Sequence, residues 1–99
     1  MAKYKLTNKA VDDLTQIWNY TNKKWSESQA DKYYQMLVDN FSEIAKNPDL
    51  GKTYSGVIKD LLGLRTGRHI IFYRKTEKGG IEIARILHEQ MDLKSRTKE

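Results

Sequence analysis

The stretch Trp25-Ser26-Glu27-Ser28-Gln29-Ala30 decides how the first half of the chain folds. Ser26 with Gln29 three residues later fits a capping box, and Trp25 against Ala30 fits the apolar staple that fixes the entry of a helix. A helix is therefore expected to start at Glu27. Downstream, Ala30, Tyr33, Leu37, Phe41 and Ile44 recur at helical spacing, flanked by Tyr34, Val38 and Ala45. Asn47-Pro48 stops this helix, because a residue before proline is pushed out of the helical region. Upstream, Val11, Leu14, Ile17, Trp18, Thr21 and Trp25 trace another apolar stripe. Asn8 is placed to cap that helix, with Asp12 and Asp13 near its positive end. Long helices with almost no linker between them must fold back as a hairpin. Their stripes can be buried only against another layer, and Trp18, Trp25, Tyr33, Leu37 and Phe41 are the expected core of that contact.

Short strands supply the other layer. Lys3-Tyr4-Lys5-Leu6-Thr7 alternates polar and apolar residues, with Tyr4 and Leu6 on one face. After a loop over 49–60, strands are expected at 61–65, 69–74 and 81–87. They are separated by turns at Thr66-Gly67 and Glu77-Lys78-Gly79-Gly80. Such tight connections imply an antiparallel meander. The order is β-α-α-β-β-β, an α+β domain in which a helical hairpin packs on one face of a small antiparallel sheet. The other face is left for solvent or a partner. Ile71 and Tyr73 share one face of their strand, and Ile70, Phe72 and Arg74 the other. Both faces are partly apolar, so the pattern alone leaves open which one the helices cover.

Ninety-nine residues and 11.6 kDa correspond to a single domain over 1–99, with a charged tail expected to fray after about residue 93. A hydrophobic fraction of 38% with 10% aromatics is too apolar for a disordered chain. No apolar run approaches the ~18 residues of a membrane span. Met1-Ala2-Lys3-Tyr4 leads directly into patterned sequence, so no leader is expected and the cytoplasm is the expected location. The absence of cysteine excludes disulfides, thiolate metal sites and cysteine nucleophiles, and two histidines, His69 and His88, are too few for an all-histidine metal site. The net charge is +5. Residues 1–50 carry seven lysines and seven acids, whereas 51–99 carry six lysines, five arginines and six acids, so the whole excess lies in the second half. A solvated basic face accounts for that excess, and so does an anionic partner.

No phosphate-binding loop, dinucleotide fingerprint or nucleophile elbow is present. The material for an active site is the basic set Arg65, Arg68, Arg74, Arg85 and His88. Converging on adjacent strands, these could hold a phosphodiester, with His88 as general acid or base. The structural alternative for His88 is a strand-end histidine bonded to the backbone or an acid. For Arg65, Arg68 and Arg74 it is a solvated strand-edge side chain.

Several stretches, taken in order, resemble one family. They are the Ala10-x-x-Asp13-Leu14-x-x-Ile17-Trp18 helix, the Trp25-x-x-x-x-Ala30 junction and the Ile44-Ala45-Lys46-Asn47-Pro48 helix end followed by Gly51. Ile70-Ile71-Phe72-Tyr73-Arg74 and Ile83-Ala84-Arg85-Ile86-Leu87-His88-Glu89-Gln90-Met91-Asp92 complete the set. Over roughly residues 3–93 the chain resembles the ParE toxins of the RelE/ParE toxin–antitoxin superfamily. The resemblance implies a bacterial, often plasmid-stabilising, protein that inhibits DNA gyrase by binding it, with no cofactor and no reaction of its own. It implies a ParD-like antitoxin with a flexible tail, and no sequence-specific DNA binding by the toxin alone. Target binding is carried over to Arg85, His88, Met91, Asp92 and Leu93, with Met91 and Leu93 equally suited to packing the tail on the body. Antitoxin contact is assigned to Trp18, Trp25, Arg65 and Arg74. Replacing Arg85 by alanine is expected to weaken toxicity without unfolding the domain. The rival within the superfamily is a RelE-like ribosome-dependent mRNA endoribonuclease using the basic cluster and His88. Its pattern is incomplete here, since Glu89 follows His88 and Tyr73 is the last tyrosine.

Overall fold

The computed structural model describes residues 3–53 and 61–89. The elements are β1 (Tyr4–Leu6), α1 (Asn8–Lys24), α2 (Glu27–Lys46), β2 (Lys52–Thr53), β3 (Leu62–Thr66), β4 (His69–Lys75) and β5 (Ile81–His88). The strands form one sheet in the order β1-β5-β4-β3-β2. The helical hairpin and the β3-β4-β5 meander stand where the sequence pattern puts them. The sheet is mixed rather than wholly antiparallel, because β1 runs parallel to β5, pairing Tyr4 with Ile81 and Leu6 with Ile83. Local alternation marks a strand but not its direction, which here is a long-range contact. The 49–60 stretch also contributes a short strand, β2, paired with Leu62 and Gly63. Two residues are too few to leave a periodic trace.

Ser26 caps α2 as its sequence suggests, its hydroxyl accepting the Gln29 N–H at 3.1 Å. Thr7, not Asn8, caps α1. Its hydroxyl accepts the Ala10 N–H at 3.0 Å and donates to the Ala84 carbonyl at 2.8 Å, so one side chain both starts the helix and ties it to β5.

Ala10, Leu14, Leu37, Phe41 and Ile44 from the helices pack on Ile71, Tyr73, Ile81, Ile83 and Ile86 from the sheet. The α1 stripe is rotated from the expected one. Val11 is 48% exposed and Trp25 72%, so Trp25 is not core. It stands at the C-cap in a non-helical conformation (φ −121°, ψ −78°), outside the helical periodicity that assigned it inward. The opposite sheet face is also not open. Leu61, Ile70, Phe72, Ala84 and Leu87 form another buried cluster there, with Phe72 fully buried. Near-continuous apolar runs such as Ile70-Ile71-Phe72-Tyr73 are what a strand buried on both faces requires.

A bulge makes this two-sided arrangement possible. Phe72 pairs with Arg85 but Tyr73 pairs with Ile83, so Ala84 is the extra residue on β5. Strict alternation would have turned Ile81, Ile83, Arg85 and Leu87 toward the helices. The bulge substitutes Ile86 for Arg85 on that face.

Tyrosine hydroxyls pin the connecting segments. The buried Tyr73 donates to the Pro48 carbonyl at 2.6 Å and accepts the Gly51 N–H at 2.8 Å, holding the chain between α2 and β2. At the β3–β4 turn, Tyr33 accepts the Arg68 N–H at 3.1 Å. Gly67 in that turn has φ +60°, and a Cβ there would lie 2.8 Å from the Tyr33 hydroxyl. Gly67→Ala is therefore expected to cost about 1–3 kcal/mol, read from urea unfolding. An unchanged midpoint would show that the turn relaxes freely.

Candidate functional site

β1 accompanies β5 only as far as Ile83. Beyond it, the first turns of α1 take over the exposed edge of β5. The Thr7 N–H donates to the Ile83 carbonyl at 3.0 Å. The Asp13 carboxylate accepts the Ile86 N–H at 3.0 Å and grips Arg85 through Nε at 2.8 Å and Nη2 at 3.0 Å. The Arg85 and Asp13 side chains are only 14% and 12% exposed. Bidentate, charge-assisted and largely desolvated, this pair joins helix to sheet. Asp13 reads in sequence as an ordinary acid near a helix start, and nothing local marks its partner 72 residues away. Arg85 is thus committed to the fold, and the expectation that its loss leaves the domain intact is revised.

The expected basic surface does not assemble. Arg74 lies at the far end of β4, opposite Glu82 and 3.4 Å from its carboxylate. Arg65 forms an ion pair with Glu89. Of the expected set, only Arg65, Arg68 and His88 share one end of the sheet, where Thr66, His69 and His88 stand side by side on β3, β4 and β5. Met91, Asp92 and Leu93 lie outside the described residues.

That end brings in two residues the sequence reading did not single out as functional, Tyr33 and His69. The Tyr33 hydroxyl is 2.6 Å from His69 Nδ1. The His69 ring meets the rings of both Tyr33 and His88 edge-on, with centroids 5.4 and 5.3 Å away. The Glu89 N–H, donating to the Arg68 carbonyl at 3.0 Å, extends the hairpin one step further. Burial, and then the neighbouring His88, lower the His69 pKa to about 4, although Glu89 and Asp13 pull the other way. His69 is therefore neutral near pH 7 and serves Tyr33 as a hydrogen-bond partner. The Tyr33 phenol is itself pushed up by burial. The Thr66 hydroxyl beside them is buried and without a partner among the described residues. Among those residues no three metal-ligating side chains converge. The arrangement is a packed latch of α2 on the β3–β4 turn, with Arg68 at its exposed rim.

The helical hairpin carries a different feature. A shallow groove runs along α1 and α2, floored by Leu6, Leu14 and Phe41 and walled by Tyr4, Val11, Tyr34 and Val38. Through Thr15 and Tyr34 it continues to Trp18, Asn19 and Asp31. Trp18 is half-buried there, and its Nε1–H donates to Asp31 Oδ1 at 3.0 Å. Tyr4, Val11 and Tyr34 leave 36–48% of their surface exposed. This apolar surface is a feature of the hairpin that the packing of the fold does not consume.

The ParE toxin family of the type II toxin–antitoxin system parDE matches residues 4–93. The chain is 33% identical over 92 residues to Toxin ParE1 of Mycobacterium tuberculosis, covering 93% of this chain and 94% of that one. It is 30% identical over 95 residues to Toxin ParE1 of Caulobacter vibrioides, covering 96% and 97%. A solved structure of the chromosomal ParDE toxin–antitoxin system from P. aeruginosa shares the fold, with a TM-score of 0.77 at 22% identity over 89% of this chain and 96% of that one. The chain belongs to the ParE family of type II toxins.

Two outcomes follow from the geometry. Arg85→Ala strands the Asp13 carboxylate in a largely buried site and is expected to destabilise the fold by about 3–5 kcal/mol, with a lowered denaturation midpoint. A midpoint near wild type would show that water replaces the guanidinium. The His69 ring protons should titrate by NMR with a midpoint near 4, not 6.5. Between those values the unfolded chain binds a proton that the folded chain does not. This contribution to stability is thus complete above pH 6.5, declines as pH falls, and is gone below about 4. A His69 midpoint at 6.5 would rule out the latch.

Proposed function

We propose that this ParE-family chain arrests DNA gyrase in the cytoplasm by protein–protein binding, carries out no reaction itself, and is neutralised by a ParD-like antitoxin. The gyrase target rests on the resemblance to ParE toxins. The observation that carries the non-catalytic reading is the dispersal of the basic residues. Arg85 is gripped by Asp13, Arg74 sits by Glu82 and Arg65 by Glu89. The last tyrosine, Tyr73, is buried under the chain that follows α2. Among the described residues, three of the four arginines each answer to a different carboxylate, so they do not converge as the charge stabilisation of a phosphodiester requires.

On this reading the target surface includes the sheet end at His88 and Arg68, and Met91, Asp92 and Leu93, which lie outside the described residues, are assigned to the target by resemblance alone. Arg85 acts there only by setting the course of β5. The antitoxin takes the α1–α2 groove, with Trp18 in its wall. Trp25, Arg65 and Arg74 are exposed and available to further parts of the antitoxin. An amphipathic segment that folds on binding suits such a groove. The ribonuclease alternative retains one observation in its favour, the grouping of His88 with His69, Arg65 and Arg68.

The test is purified chain, refolded free of antitoxin, in gyrase supercoiling and DNA-cleavage assays. Inhibition, or accumulation of cleaved DNA–gyrase complexes, is expected. No effect of folded protein at micromolar concentration would overturn the target, and His88 would then be the first residue to mutate in a ribosome-bound mRNA cleavage assay.

A further inference from the structure

Resting on the reading of the α1–α2 groove as the antitoxin's seat, we infer that Asp31 selects a lysine or arginine at one end of the antitoxin helix's apolar face. Asp31 is the one charged side chain among the residues lining the groove. Trp18 takes up one of its carboxylate oxygens and so orients the group. Among the described residues no lysine or arginine forms an ion pair with it. Aromatic rings, Trp18 and Tyr34, flank it in the same part of the groove. A carboxylate between aromatic rings is chemistry suited to a guanidinium or ammonium group.

The charge of the hairpin agrees. Residues 8–46 carry five lysines and six acids, so the chain's +5 excess lies elsewhere. The acidic segment that the net charge suggests is therefore not what this groove selects. It asks for an apolar stripe ending in a cation.

Spacing sets where that cation falls. Val11 marks the apolar end and Asn19 the Asp31 end, eight residues apart on α1. That is about 12 Å at 1.5 Å per residue. A partner helix lying along the groove covers the distance with as many residues of its own. Its basic residue thus lies seven or eight positions from the apolar anchor in the Val11 and Val38 end, on the same face. The carboxylate acts here as a specificity determinant. A helix placing an acid at that position meets a like charge, and one placing an apolar residue leaves Asp31 without compensation.

The test is a yeast-displayed library of amphipathic helices with a constant apolar face and randomised polar positions, sorted on the folded full chain. Wild-type binders are expected to carry Lys or Arg seven or eight positions from the anchor. Changing that residue to Gln should weaken binding about three- to fivefold. Asp31→Asn keeps the acceptor for Trp18 and should erase the preference, while Asp31→Lys should invert it to Asp or Glu. Val38→Asp, which breaks the apolar wall, should remove these binders altogether. Binders that Val38→Asp removes but that show no charge preference, or one indifferent to Asp31, overturn the role of Asp31 and leave the groove as the seat. Binders untouched by Val38→Asp overturn the seat itself, and this inference with it.

Discussion

The Asp13 carboxylate is the constraint on which the rest of the structure depends. A single group satisfies the Arg85 fork and the Ile86 backbone N–H where β1 has ended and β5 would otherwise present a bare edge. An unpaired edge costs hydrogen bonds and invites wrong pairing. Here the edge is closed by a helix, because Thr7 and Asp13 reach across from α1. Burying both charges is costly, and geometry of this kind offsets the cost only while both partners remain. The pair sets where α1 sits on the sheet and draws the guanidinium out of the alternation of β5.

The bulge at Ala84 is the complement of that pair. With Arg85 turned to Asp13, one extra residue puts Ile86 on the helix-facing side and Leu87 on the other, and each face keeps its own buried cluster. The polar pins follow the same logic. Tyr73 and Tyr33 bury their rings in or against the core and spend their hydroxyls on backbone groups of the chain around Pro48 and Gly51 and of the Arg68 turn. Tyrosine suits both places because its body is apolar and its tip is not. The sheet is therefore committed on both faces and at most of its side chains. Among the described residues, the rim around Arg68 and the groove on the hairpin stay outside that commitment.

The hairpin and the meander were legible because their signals are local. Ser26, Gln29 and Pro48 mark the ends of α2 within a residue, and glycine-containing turns separate β3, β4 and β5. The core of α2 was legible for the same reason, with Ala30, Leu37, Phe41 and Ile44 all buried. Trp25 falls on the inward stripe only if helical periodicity runs one residue past Lys24, where α1 ends. The site was less legible still. Arginines 65, 74 and 85 look alike in sequence, yet each answers to a different acid, and only Glu89 and Glu82 lie on or next to β5, the strand that Arg65 and Arg74 reach. Tyr33 read as one more core position, although its hydroxyl meets His69 36 residues on.

The sequence by itself determined the element order, the α+β class and the ParE kinship, because caps, turns and apolar periods act over a few residues and their succession spans the chain. Only the tertiary structure decided the parallel pairing of β1, the bulge, the helix face that turns inward and which charges meet. Those depend on contacts such as Asp13 with Arg85 and Tyr33 with His69, made between residues far apart in the chain, and no local pattern encodes the partner of a side chain that the fold alone brings near.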